Sequence, residues 1–72
     1  MEFNADESKK IQLLARYLDE KITYRFSDVN YAIRCIMQDM NKSIEEVTIS
    51  AKKNKKRMQV KVAKYIAALY AA

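Results

Sequence analysis

Seventy-two residues, half of them apolar and about a third charged, suit one small folded domain with a thin margin of stability. The chain has no glycine, no proline, no histidine and one cysteine, and its formal net charge is +5. Those absences exclude phosphate-cradling glycine loops, the commonest general base and zinc ligand, and an internal disulfide, so neither an enzyme nor a metal or cofactor site is expected.

The longest uncharged stretch, Tyr65 to Ala72, is far short of the ~20 apolar residues of a membrane span. The opening MEFNADESKK lacks the basic-then-apolar order of a signal peptide. A reducing, cytoplasmic setting without membrane contact is the expectation.

Without glycine or proline the chain reads as helices joined by short turns, a small all-α bundle of three to four helices. The first helix opens after Asn4. Asn4 and Glu7 stand in the N-cap to N3 relation of a capping box, and Ile11, Leu14, Ala15 and Leu18 recur on one face. Residues 21–26, KITYRF, alternate apolar with polar side chains. They read as an extended connector, with a strand paired to a second copy of the chain as the alternative.

Ser27 is the expected N-cap of the next helix, with Phe26 and Tyr31 placed as a hydrophobic staple. That helix runs to about Met40, with Val29, Ala32, Ile33, Ile36, Met37 and Met40 inward and Asn41 as a left-handed C-cap. Cys35, flanked by Ile33, Ile36 and Met37, reads as a small buried hydrophobe. Ser43 and Glu46 form a second capping box that opens a short helix through Ile44 and Val47. In the last helix Met58, Val62, Tyr65, Ile66 and Leu69 make an apolar stripe, while Arg57, Lys61 and Lys64 line another face.

Between these two helices lies SAKKNKKRM, residues 50–58, with five cations in six positions. Adjacent like charges repel at helical spacing and Asn54 prefers turns, so a break is expected within 52–56. Charge is split along the chain. Residues 1–50 carry seven Lys or Arg and nine Asp or Glu; residues 51–72 carry seven Lys or Arg and no acid. A basic third attached to a slightly acidic remainder points to a directed surface. Lys52, Lys53, Lys55, Lys56, Arg57, Lys61 and Lys64 are the candidate phosphate ligands, and Asn54 shapes the segment or touches a base edge. Lysine dominates, which favours backbone affinity over reading of bases. Tyr24 is the best exposed of the five tyrosines for stacking on a single strand, although packing is the ordinary role of all five.

The stretch IMQDMNKSIEEVTISAKKNKKRMQVKVAKYIAALY, residues 36–70, resembles the DNA-binding domain of the bacterial chromosomal replication initiator, DnaA. Met40-Asn41 matches that family's helix end, Ile44-Glu45-Glu46-Val47 its short helix, Lys52 to Arg57 its basic loop, and Ala63-Lys64-Tyr65-Ile66-Ala67 its later helix core. The resemblance implies a Trp-repressor-type helical array and duplex DNA as the ligand, with Lys52 or Lys53 near the position of the family's loop arginine. Gln59-Val60 stand where the family has Ala-Arg, and the family's recognition helix would fall after Ala72.

The expected function is a small nucleic-acid-binding protein that contacts the phosphates of double-stranded DNA through the basic segment 52–64, a Lys/Arg-rich loop followed by a helix face. The alternative is a protein-interaction module or small regulator that docks on an acidic partner, suggested by the small core, the methionines and the acidic N-terminal portion. A homo-oligomer is compatible with either. Glu45 and Glu46, the best acids for catalysis, are adjacent on a helix and cannot flank one substrate; their expected role is to complement the helix dipole.

Overall fold

The computed structural model describes residues 3–19 and 24–71, arranged as four helices. They are α1 (Ala5–Leu18), α2 (Phe26–Met40), α3 (Ile44–Lys53) and α4 (Lys55–Ala71). No strand occurs among the described residues. The alternating stretch contributes Tyr24 and Arg25 to an irregular approach and Phe26 to α2, while its residues 21–23 lie outside those described. The Cα radius of gyration is 11.2 Å, which matches the about 11 Å expected of a folded chain of this length. No helix among the described residues is long and apolar enough to cross a membrane.

Local sequence sets three of the helix ends. The Asn4 Oδ1 accepts from the Glu7 N–H at 2.8 Å, and the Glu7 carboxylate accepts from the Asn4 N–H at 3.3 Å. Ser43 and Glu46 repeat this arrangement at α3, at 3.2 and 3.1 Å. Each box satisfies two backbone donors that a helix start otherwise leaves open, and places acid where the dipole favours it. Asn41 ends α2 in the left-handed region, at φ 50° and ψ 49°. The next residue, Lys42, donates its N–H to the Met37 carbonyl at 3.0 Å.

The start of α2 departs from expectation. Arg25, not Ser27, is the N-cap, and its carbonyl accepts from the Asp28 and Val29 N–H groups at 3.0 and 3.2 Å. What fixes this end is tertiary. Asp28 is only 8% exposed. Its carboxylate accepts from the Tyr70 hydroxyl at 2.8 Å and faces the Arg25 guanidinium at 3.6 Å. Arg25 also donates to the Tyr70 oxygen at 2.8 Å, which clasps the far end of α4 to the first turn of α2. With the helix opening earlier, the Phe26–Tyr31 staple is out of register, and both rings are exposed.

The core takes one stripe from each helix: Ile11, Leu14, Ala15 and Leu18; Val29, Ala32, Ile33, Ile36 and Met37; Ile44, Val47 and Ala51; Met58, Val62 and Ile66. Burial of these side chains, at about 25 cal/mol per Å² of apolar surface, is the main force holding the bundle. Tyr65 and Leu69 sit half-buried at the edge of the α4 stripe. Two inward expectations fail. Met40, the last residue of α2, is exposed, and its sulfur accepts from the Lys61 ammonium at 3.6 Å. Cys35 is half-buried, one step off the Ile33–Ile36–Met37 stripe. Gln59 donates its side-chain N–H to the Leu18 carbonyl at 3.1 Å, so α4 satisfies an acceptor that the end of α1 leaves open.

Candidate nucleic-acid interface

The basic segment is not a loop. Lys52 and Lys53 complete the last turn of α3, and Lys55, Lys56 and Arg57 form the first turn of α4. The expected break is the single residue Asn54, at φ −151° and ψ 87°. Asn54 ends one helix and begins the next. Its N–H donates to the Ser50 carbonyl at 3.1 Å, its Oδ1 accepts from the Arg57 N–H at 3.1 Å, and its carbonyl accepts from the Met58 N–H at 3.2 Å. The short polar side chain lets one residue do the work that a glycine turn often does.

The electrostatics of the two helix ends are opposite. Lys52 and Lys53 complement the negative C-terminal end of the α3 dipole. Lys55, Lys56 and Arg57 oppose the positive N-terminal end of α4, whose first turn holds no acid. By contrast α1 opens with Asp6 and Glu7, and α3 with Glu45 and Glu46. Arg57 occupies the position that Glu7 and Glu46 hold in the two capping boxes.

Lys53, Asn54, Arg57 and Lys61 line one cleft of about 300 Å³, together with Met40, Ser50 and Met58. Lys52 and Lys55 lie elsewhere, with their ammonium groups 5.0 and 4.7 Å from the centre of the Tyr17 ring on α1. At these distances an ammonium is attracted by the electron-rich face of a phenol. Lys56 lines a separate hollow with Tyr24, Gln59 and Val60. Lys64 is exposed on α4, two turns beyond Arg57. Thus three of the seven candidate cations share a cleft with Asn54, two are held on one aromatic ring, and two stand apart.

None of these seven cations has an Asp or Glu oxygen within 4.0 Å among the described residues. The ion pairs found join Lys10 to Asp6 and Glu45, at 3.3 and 2.7 Å, and Arg25 to Asp28. Hydrogen bonds that the Lys10 ammonium donates to the Glu45 and Asp6 carboxylates raise the Lys10 pKa, and the Lys10 ammonium lowers that of Glu45. No cluster of three or more His, Cys, Asp or Glu side chains able to hold a metal occurs among the described residues.

The tyrosines divide. Tyr24 lines a hollow with Lys56 but is not the best exposed tyrosine: it is 37% exposed, against 45% for Tyr31 and 59% for Tyr70. Tyr70 is exposed by area, but its hydroxyl is engaged by Asp28 and Arg25. Tyr65 donates to Asp39 at 2.5 Å, and that bond pushes its pKa up to about 12. Tyr17 was not distinguishable from the others in the sequence. Its partners are 35 and 38 residues away, and only the packing of α1 against the α3–α4 junction unites them. No family model, curated protein or solved structure matches the chain.

Proposed function

We propose that this chain is a small cytoplasmic nucleic-acid-binding regulator that holds double-stranded DNA by its phosphates at the α3–α4 junction. The observation that carries the reading is the first turn of α4. Three cations stand at a helix end that disfavours them, with no neighbouring acid to relieve them among the described residues. A sequence that places acid at the starts of α1 and α3 breaks its own rule here, and breaks of a local rule are expected at functional or strained sites. An anion supplies what the fold omits.

In this reading Lys53, Arg57 and Lys61 line a cleft that receives one phosphate group, with the Arg57 fork giving it direction. Asn54 sets the geometry of the cleft. Lys52 and Lys55, preorganised on Tyr17, meet neighbouring phosphates, and Lys56 and Lys64 extend the track. The resemblance to the replication initiator's DNA-binding domain points to the same ligand. A one-residue break leaves too little chain to reach deep into a minor groove, so contact from outside the duplex is the mode proposed.

Fluorescence anisotropy with a short labelled duplex tests the proposal. If three to five phosphates are contacted, affinity falls by roughly 40- to 500-fold between 50 and 200 mM salt. Absence of binding at low salt, or binding indifferent to salt, contradicts the proposal. Preference for single strands or for duplex RNA would move the ligand and leave the site.

A further inference from the structure

Between α1 and α3 the surface opens into an apolar groove of about 500 Å³. Leu14 and Ile44 form its buried floor. Leu13 and Ile49 stand on its walls, 61% and 58% exposed. Leu13 and Ile49 thus belong to one contiguous apolar patch with the groove floor, and contiguous apolar patches rimmed by polar residues mark interaction surfaces.

The two ends of the groove differ in charge. At one end Lys10 is neutralised, with its Nζ 2.7 Å from Glu45 and 3.3 Å from Asp6. At the other, Lys52 lines the groove, and Lys52 and Lys55 both lie over Tyr17 without an acid partner among the described residues. The interval from Lys10 to Tyr17 on α1 equals that from Glu45 to Lys52 on α3. Both are two helical turns, roughly 10 Å. The groove therefore has the length over which a docked helix presents apolar residues at i, i+3 or i+4, and i+7.

We propose that this groove docks an acidic amphipathic helix of a partner protein. The apolar residues of that helix fill the space between Leu13 and Ile49, and its Asp or Glu side chains pair with Lys52 and Lys55. A second copy of this chain fits less well, since it brings the same cations, and Glu45 is already paired with Lys10. A duplex has nothing to set against the aliphatic walls. Because Lys52 and Lys55 also belong to the proposed phosphate track, the partner displaces part of the DNA contact. Only that competition rests on the duplex reading; the docking itself does not.

The probe is a labelled amphipathic peptide of about 14 residues, with leucines at the anchor spacing and glutamate on its flanks. A matched peptide with lysine in place of glutamate is the control. The whole chain is expected to bind the glutamate peptide saturably, with amide shifts centred on Leu13, Tyr17, Ile49 and Lys52. Leu13→Asn or Ile49→Asn weakens it by about tenfold or more, as loss of a central anchor does, and leaves duplex affinity unchanged. If circular dichroism shows either variant unfolded, Lys52→Gln with Lys55→Gln replaces it and weakens the glutamate peptide, with duplex binding weakened alongside because both residues belong to the proposed phosphate track. Equal binding of the lysine peptide, shifts that map elsewhere, or no binding of either peptide overturns the proposal. So does sedimentation as a dimer whose Leu13 and Ile49 are protected.

Discussion

Replacing Arg57 with glutamate separates what the α4 start does for the fold from what it does for a ligand. Arg57 is the third residue of α4, and its N–H donates to Asn54 Oδ1. A cation there opposes the helix dipole and an anion complements it, each by about 0.3–1 kcal/mol at an exposed site. Lys61 lies four residues on and lines the same cleft. The like-charge pair becomes a Glu–Lys pair in the better orientation, at about 0.2–0.5 kcal/mol for each change. Together these give R57E a gain of about 1–3 kcal/mol. No further gain comes from a closed capping box, because the Asn54 N–H already donates to the Ser50 carbonyl. For a domain of this size a gain of about 2 kcal/mol raises Tm by roughly 8–16 °C. Melting followed by far-ultraviolet circular dichroism should show the rise at low salt and a smaller one at 1 M, where the Debye length falls to about 3 Å. Duplex affinity should fall at the same time, with the salt slope reduced by about 0.9 for the lost contact. A variant no more stable than the parent at low salt refutes the electrostatic argument. A more stable variant that still binds duplex as tightly removes the functional one.

Tyr70→Phe leaves the buried Asp28 carboxylate with Arg25 alone and should cost about 1–3 kcal/mol, read as a lower urea midpoint. Asn54→Ala removes the acceptor for the Arg57 N–H and should lower stability by about 1 kcal/mol, with duplex affinity reduced as the cleft loosens. The Tyr65 hydroxyl is raised from 10.0 to about 12 by its bond to Asp39, so the stability from that bond is complete below about pH 10 and disappears as pH rises toward 12. Urea midpoints of the parent and Tyr65→Phe should therefore converge over that interval. A difference between the two that is constant with pH would show that the hydroxyl contributes nothing specific.

The four helices were readable wherever a short-range rule decided the outcome. Asn4 with Glu7, Ser43 with Glu46, and Asn41 each act within a few residues, and the core positions follow the helical period. The misses lie where partners distant in sequence meet. Ser27 yields to Arg25 because α2 is anchored through Asp28 to Tyr70, 42 residues away. Met40 faces out where an ammonium from the last helix reaches its sulfur. For the candidate site, composition and charge asymmetry disclosed which residues to suspect. Their grouping did not show, because the pairing of Lys52 and Lys55 on Tyr17 depends on how three helices pack. The segment's form was half-visible: a break was expected, but not that one asparagine would suffice.

That single-residue joint leaves no slack between the last two helices. The direction in which α4 leaves α3 is set by the two backbone torsions of Asn54. One inserted residue, if taken up as helix, would turn α4 by about 100° about its axis. Met58, Val62 and Ile66 would then swing out of the interior and cationic side chains would swing toward it. Length at this point is therefore as strongly constrained as composition, and lineages carrying this fold should tolerate exchange among Lys and Arg here far more readily than any insertion or deletion.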